Sequence, residues 1–546
     1  MHCKLHLVPL VVSALCCLAT TARVRAEVKV NSLFTDHAVL QSGLKVPVWG
    51  TAEAGEDVTV TFAGQTKTAK ADEKGKWRVN LEPMEAGGPH ELTIAGKNTI
   101  TSRDILVGEV WVASGQSNME VTTGGALNPA EEIASAKYPE IRMYTVATVV
   151  SDEAKEDAGG RWVVCTPETV VNFSAVGYFF ARDIYKEIKR PVGIIHSSVG
   201  GTWAESWTPW DAMKGEAMLQ PMLDHFEELV AKYPAKMEEY TPKLQAWEKE
   251  AARAKEEKTK APPKPAPPVD PRQQTFRPAG LFNGKIAPVI PYAIRGVIWW
   301  QGEYNGPRGE QYRTLFPTLI KSWRERWGEG DFPFYFVMLE SFDIPPGDAA
   351  HYDELREAQL LTAKNVPNTG VAVGVDLGEP RSLHPIRKQE FARRLALIAE
   401  HNVYGMKDVV YSGPVFKEMK IEGEKAVLSF DHVDGGQGGL VLKDEEQQRP
   451  RDIPLPGQPP MGPYKPLKEV PTWQVAGEDQ VFYGAVARIE GETIVVSSPE
   501  VKTPVAVRYG FSDNPTMTLY NKADLPAPPF RTDDWKMQSA GKRFLE

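Results

Sequence analysis

Two hydrophobic rhythms divide the chain. From Glu27 to about Ser102, apolar and polar residues alternate with period two, as in Asp57-Val58-Thr59-Val60-Thr61-Phe62 and Trp77-Arg78-Val79-Asn80-Leu81. That rhythm, broken by turns such as Asp72-Glu73-Lys74-Gly75, predicts a small all-β module. From Ile105 the pattern changes. The runs Ile105–Ala113, Val192–Ser197, Gly296–Trp300, Phe334–Leu339 and Gly370–Val375 are mostly apolar on both faces, as expected of parallel strands covered on each side. Between them Val176, Phe179, Phe180, Ile184 and Ile188 recur at helical spacing before Pro191, and Phe391, Leu395 and Ile398 do so again. Strands alternating with helices predict an open, doubly wound α/β sheet, whose sites lie beyond the carboxyl ends of the strands. After about Tyr404 short strands and turns return, through Val505-Ala506-Val507-Arg508-Tyr509.

Two segments stand outside this scheme. Asp211 to Lys260 is rich in charges of both signs and reads as solvated helix, followed by a semi-rigid proline-rich linker from Ala261 to Pro271. At the start, the apolar run Leu7–Ala19 follows Lys4, is too short to span a bilayer, and leads to Val24-Arg25-Ala26 before Glu27. This is the form of a secretory signal peptide, so export to the periplasm or the extracellular space is expected, with no membrane span in the mature chain. The expected organisation is a signal peptide at 1–26, a β module at 27–103, an α/β domain at 104–405 with an insertion at about 211–275, and a β-rich module at 406–546.

Composition narrows the function. The 546 residues are 42% apolar and 25% charged, which is globular. A net charge of −9 argues against a nucleic-acid footprint, which needs a basic face. Of the four cysteines only Cys165 would remain after cleavage, and its apolar neighbours Trp162-Val163-Val164 mark it as a small core residue.

The chemistry gathers just past the strand ends. The first strand runs into Ser114-Gly115-Gln116-Ser117-Asn118-Met119, where a serine at a strand-to-helix turn is placed like a nucleophile. Met119 departs from the G-x-S-x-G elbow, and a lone serine is more often a helix cap. The second strand leads to Gly200-Gly201, whose amides can approach a ligand closely or form an ordinary turn. Past the third lie Trp300-Gln301-Gly302-Glu303-Tyr304-Asn305, and past the fifth Asp376-Leu377-Gly378-Glu379 and Leu383-His384-Pro385. Pro385 suits the first position of a helix, and a helix N-terminus keeps the preceding imidazole neutral, fit to act as a base. A lone histidine there is more often a cap, but in this fold all these positions converge on one crevice.

Trp111-Val112-Ala113-Ser114-Gly115-Gln116-Ser117-Asn118-Met119 resembles the nucleophile block of the sialate O-acetylesterase family, within the SGNH hydrolases. Gly296 to Asn305 resembles its second signature and Leu383-His384-Pro385 its histidine block. Further similarity runs through Leu281-Phe282-Asn283-Gly284, Leu355-Arg356-Glu357-Ala358-Gln359 and Val507-Arg508-Tyr509-Gly510. The resemblance implies a flavodoxin-like hydrolase core with a parallel sheet, flanked by β modules, that deacetylates O-acetylated sugars without metal or other cofactor. Ser117 matches the nucleophile, His384 the general base, and the Gly200-Gly201 pair and Gln301 the oxyanion-hole blocks, joined by the Ser117 amide. Trp203, Trp207 and Trp300 are placed to stack on pyranose rings, with core packing equally weighted, and Asn305 to bind substrate.

One departure matters. The family commonly carries an acid two or three residues before the histidine, where this chain has Arg381 and Ser382. Asp376 and Glu303 rank level as the orienting acid, Glu379 below them, with a Ser–His dyad close behind. An unperturbed imidazole would make the rate rise through roughly pH 6 to 7. A sialate pocket should offer a cation, for which Arg277, Arg308 and Arg381 are candidates, whereas an acetylated xylan, pectin or algal polymer needs none. The rival readings are a non-catalytic carbohydrate-binding protein, an α/β-hydrolase lipase, and a structural envelope protein that binds partners through the proline-rich insertion. No H-E-x-x-H, closely spaced Cys/His set or calcium loop occurs in the sequence.

Overall fold

The computed structural model describes residues 27–345, 350–433, 439–454 and 464–544. The expected signal peptide at 1–26 lies outside the described residues. Seven strands form the central sheet: β1 (Thr99–Gly115), β2 (Tyr138–Thr145), β3 (Trp162–Cys165), β4 (Val192–Ser198), β5 (Gly296–Trp300), β6 (Phe334–Val337) and β7 (Thr369–Ala372). Their spatial order is β3-β2-β4-β1-β5-β6-β7. Every neighbouring pair is parallel except β2 with β3. The five strands expected from apolar runs thus stand in the order second, first, third, fourth, fifth, which is flavodoxin-like. The order reverses between β1 and β5, and a crevice opens there at the carboxyl edge.

Both faces of the sheet are covered. On one, Trp111, Ala113, Ile194, Ile298 and Trp300 pack against α1 (Ala175–Ile188) and α5 (Lys388–Asn402), through Phe179, Phe180, Phe391 and Leu395. On the other, Val110, Val112, Ile195, Val297 and Trp299 share a core with Leu315, Phe316 and Trp323 of α3 (Gly309–Trp327) and Leu355 and Ala358 of α4 (Tyr352–Asn365). The N-terminal module shares that second core through Val28, Leu33 and Phe34. Full burial on both faces explains why β5 and β6 are built of apolar and aromatic residues alone.

The expected boundary at residue 103 falls inside β1. The strand pairs with Gly87–Ala95 of the N-terminal module in its first half and with β4 and β5 in its second, so module and core share one ladder. β2 and β3 extend the sheet at its edge. Cys165 ends β3 fully buried, and burial pushes its thiol up to about 12, as befits a core residue.

The insertion is one 37-residue helix, α2 (Gln220–Glu256), with Pro234 and Pro242 inside it. The proline-rich strap turns back along it: Trp247 Nε1 donates to Pro262 O at 2.8 Å and Tyr240 OH to Pro265 O at 3.3 Å. After α5 come two four-stranded antiparallel sheets whose core includes Leu428, Trp473, Val507 and Phe530. Among the described residues no helix is long and apolar enough to cross a membrane.

Candidate active site

Gly115 ends β1 at a φ of +133°, and a Cβ there would lie 2.0 Å from the Trp300 carbonyl. Only glycine allows this approach, which puts Gln116 N on Trp300 O at 2.8 Å and swings the next residue over the sheet edge. That residue is Ser117. Its Oγ lies 2.8 Å from Nε2 of His384 in a hydrogen bond spanning 267 residues of sequence. Ser117 and His384 are thus brought together at the switch point.

Pro385 does not open the helix. α5 begins at Lys388, because Ile386 N–H donates to Glu379 Oε1 at 2.8 Å and its carbonyl accepts from Leu127 N. His384 stands in the preceding loop with its own N–H on Ser382 Oγ at 3.2 Å. Loss of water around the ring, and then the charge of Lys388, hold its pKa below the ordinary 6.5.

None of the three candidate acids reaches that ring. Asp376 is clamped by Arg394, with oxygens at 2.6 and 2.8 Å from the guanidinium. Glu379 caps Ile386. Glu303 accepts from Asn118 Nδ2 at 2.6 Å, and its second oxygen is buried without a partner. Among the described residues no carboxylate accepts from His384 Nδ1.

The oxyanion assignments divide. The glycine loop lies against the serine: a Cβ on Gly200 would come within 3.2 Å of Ser117 Cβ. Gly200 N–H, however, donates to Glu120 Oε2 at 2.7 Å, and Glu120 is exposed. The amides of Ser117 and Gly201 are not taken up by hydrogen bonds among the described residues. Gln301 faces away. Its Nε2 donates to Thr202 O at 3.1 Å and Asn305 Oδ1 at 2.7 Å, and its Oε1 accepts from Tyr312 OH at 3.0 Å. Asn305 is likewise buried, holding Ala204 N at 2.9 Å and Glu205 Oε2 at 2.9 Å. Both residues brace the Thr202–Glu205 loop, and neither is open to a substrate.

The tryptophans sort the same way. Trp300 is fully buried, with Nε1 on Glu340 Oε2 at 3.1 Å and its ring 4.3 Å from that of Phe391. Trp207 is buried as well, so core packing accounts for both. Trp203 is half-buried, 5.3 Å from Phe276 and stacked over the Arg308 guanidinium. Beside the glycine loop Tyr304 is exposed, 48% accessible, with its hydroxyl 3.7 Å from the Cβ position of Gly201.

Sequence reasoning missed what lies beneath the pair. Asn118 Nδ2 also donates to Glu340 Oε1 and to Leu383 O, both at 2.9 Å, while its Oδ1 accepts from Lys388 Nζ at 2.5 Å. Burial raises the pKa of Glu303 and Glu340 and lowers that of Lys388. Glu340 stands three residues past the end of β6, so its signal is the same as that of the other candidates, a polar side chain just beyond an apolar strand. Among the described residues no cluster of three or more His, Cys, Asp or Glu side chains could hold a metal ion.

A flavodoxin-like sheet with a serine–histidine pair at its carboxyl edge defines a carboxylic ester hydrolase of the SGNH type. Residues 107–246 and 283–396 match the family model described as carbohydrate esterase, sialic acid-specific acetylesterase. The sialate O-acetylesterase of Mus musculus is 30% identical over 422 residues, covering 70% of this chain and 75% of that one. The sialate O-acetylesterase of Homo sapiens is 28% identical over 70% of this chain and 72% of its own. The crystal structure of a carbohydrate acetylesterase from Xanthomonas citri superposes with a TM-score of 0.73 at 33% identity, covering 93% of this chain and all of that one. The chain belongs to the sialic acid-specific acetylesterase family of carbohydrate esterases.

Proposed function

We propose that the chain removes O-acetyl groups from carbohydrate through an acetyl-serine intermediate. The observation that carries this reading is the 2.8 Å hydrogen bond between Ser117 Oγ and His384 Nε2 at the switch point of the sheet. Ser117 Oγ attacks the acetyl carbonyl while His384 Nε2 takes its proton. The Ser117 and Gly201 amides receive the oxyanion, with Gly200 joining if Glu120 withdraws. His384 then protonates the departing sugar hydroxyl. It next takes a proton from water, which attacks the acetyl-serine and releases acetate. The imidazole is held by its loop and no carboxylate among the described residues accepts from its Nδ1, which supports a reading of the pair as a dyad.

The test is acetate release from a panel of acetylated glycans by wild type and Ser117→Ala. The variant should lose at least about a thousandfold in turnover, as for removal of a triad nucleophile. Activity within tenfold of wild type would remove Ser117 from the mechanism. A wild type that binds glycans and releases no acetate would make it a carbohydrate-binding protein. Since serine, histidine and backbone amides carry every step, hydrolysis should survive EDTA. Loss on chelation with recovery on zinc would place the reaction in another class.

The mammalian relatives are named for sialate, but the charges here favour a neutral acetylated glycan, such as a xylan. Arg277 pairs with Asp152, Arg308 with Glu205 and Arg381 with Asp452, while the exposed Glu120 carboxylate stands beside Ser117. Export is supported by the apolar run Leu7–Ala19 followed by Val24-Arg25-Ala26.

A further inference from the structure

Under the nucleophile lies a group of titratable side chains that the acyl-transfer steps leave unused. Glu303 comes from the turn after β5, Glu340 from the end of β6 and Lys388 from the first turn of α5, and all three are buried. Burying two carboxylates and an ammonium is costly unless each is well partnered. Here a single amide, that of Asn118, joins them. Its oxygen accepts from Lys388 Nζ at 2.5 Å, and its nitrogen serves Glu303 at 2.6 Å and Glu340 at 2.9 Å. Trp300 closes the group, with the Lys388 ammonium 4.2 Å from its ring centre and its Nε1 on Glu340.

The same amide also donates to Leu383 O at 2.9 Å. Leu383 precedes His384, and Lys388 follows it by four residues. Asn118 in turn follows Ser117. The two chain segments that carry the reacting atoms are therefore tied twice below the Ser117–His384 hydrogen bond, once on each side of the histidine. Among the described residues no carboxylate orients the ring, and the contacts seen to fix its approach to Ser117 are those that hold this loop. Resting on the reading of Ser117 and His384 as nucleophile and base, we propose that Asn118 and Lys388 are positioning residues. They hold the His384 loop on the nucleophile in place of the acid that this chain lacks before its histidine.

Packing alone does not account for the group. A lysine that merely filled space would be replaceable by an apolar side chain of its size. This lysine faces Glu303, Glu340, Glu379 and Asn118, and its charge also reaches His384, which it makes harder to protonate. Removing that charge should let the imidazole protonate at higher pH.

The test is Lys388→Met, with Lys388→Arg and Asn118→Ala beside it, assayed for acetate release across pH. Lys388→Met should lower kcat about a hundredfold, the cost of misplacing a catalytic group by about 1 Å, with KM within about twofold of wild type. The acid limb of its kcat/KM profile should move to higher pH. Lys388→Arg, which keeps the charge, should leave the limb in place. A folded Lys388→Met with kcat within threefold of wild type and an unmoved limb would overturn the proposal. So would a rise in KM without a fall in kcat. If Lys388→Met does not fold, Asn118→Ala decides on the same kcat and KM criterion, since it cuts both ties without removing a charge. Ser117→Ala run in parallel separates the two failures: if it stays active, the underlying reading is wrong, not the positioning alone.

Discussion

His384 shows how far a side chain's neighbours alter its chemistry. Desolvation and the Lys388 charge both disfavour the imidazolium, so the neutral base persists to lower pH than in water. The acid limb of kcat/KM should therefore have its midpoint below 6.5, where sequence alone placed the rise at roughly 6 to 7. A pH–rate profile checks this, and a midpoint at or above 7 would contradict it. Asp376 teaches the reverse lesson. Eight residues before the histidine and just past a strand, it had the placement of a triad acid. Its carboxylate instead neutralises Arg394, and both side chains are largely buried. Asp376→Asn should keep turnover within a few-fold of wild type and lower the melting temperature by several degrees, because it leaves a buried guanidinium short of its partner. A loss of a thousandfold in turnover at unchanged stability would restore it as the acid. Ser117 and His384 were legible because strand ends and a family signature both pointed at them. The link between Asn118 and Lys388 was not, because it joins segments 270 residues apart in sequence.

Elements were legible in proportion to how evenly they are buried. β1, β4, β5, β6 and β7 stood out as apolar runs, since both faces of each meet a core. β2, toward the sheet edge, carries Glu140, Arg142 and Thr145 among its apolar residues, so no continuous run announced it, and β3 at the edge has only four residues. The charge pattern of Asp211–Lys260 reads as solvated helices, and the structure has there the single long helix α2, most of whose residues are exposed or half-buried. What sequence could not show is that the proline strap lies along it, held by the Trp247 and Tyr240 hydrogen bonds and by Lys264 over the Trp247 ring. Trp247→Ala should release the strap. Limited proteolysis between residues 258 and 270 should then speed up severalfold while acetate release stays within about twofold of wild type. An unchanged cleavage rate would show that the strap is held elsewhere.

At the scale of the whole molecule, the hydrolase core is not a free-standing unit. Met338, Val373 and Val375 belong to the core of the C-terminal sheets. Buried Arg356 donates to Leu339 O at 2.7 Å and Glu340 O at 2.6 Å, and also to Ser512 O at 2.7 Å and Asp513 O at 2.8 Å. The β6 end that carries Glu340 is thereby fastened to the C-terminal module. Truncation after residue 405 would expose that apolar surface and leave a buried guanidinium with unmet donors. The chain 27–405 should accumulate as aggregate or release no acetate. A soluble fragment with wild-type kcat would show that the core folds alone.

The 17-residue strand β1 sets a rule for recombination. It is a shaft with the N-terminal module hydrogen-bonded to one end and the nucleophile turn at the other. Along it Val110 and Val112 face one core while Trp111 and Ala113 face the other. Losing one residue between 105 and 113 would invert that assignment for everything on one side of the cut. It would drive an indole into space shaped for valine and carry Ser117 out of reach of His384. Length changes within the shaft are not tolerable. Module and nucleophile are therefore inherited as one piece, and a chimaera of two such esterases must exchange them together.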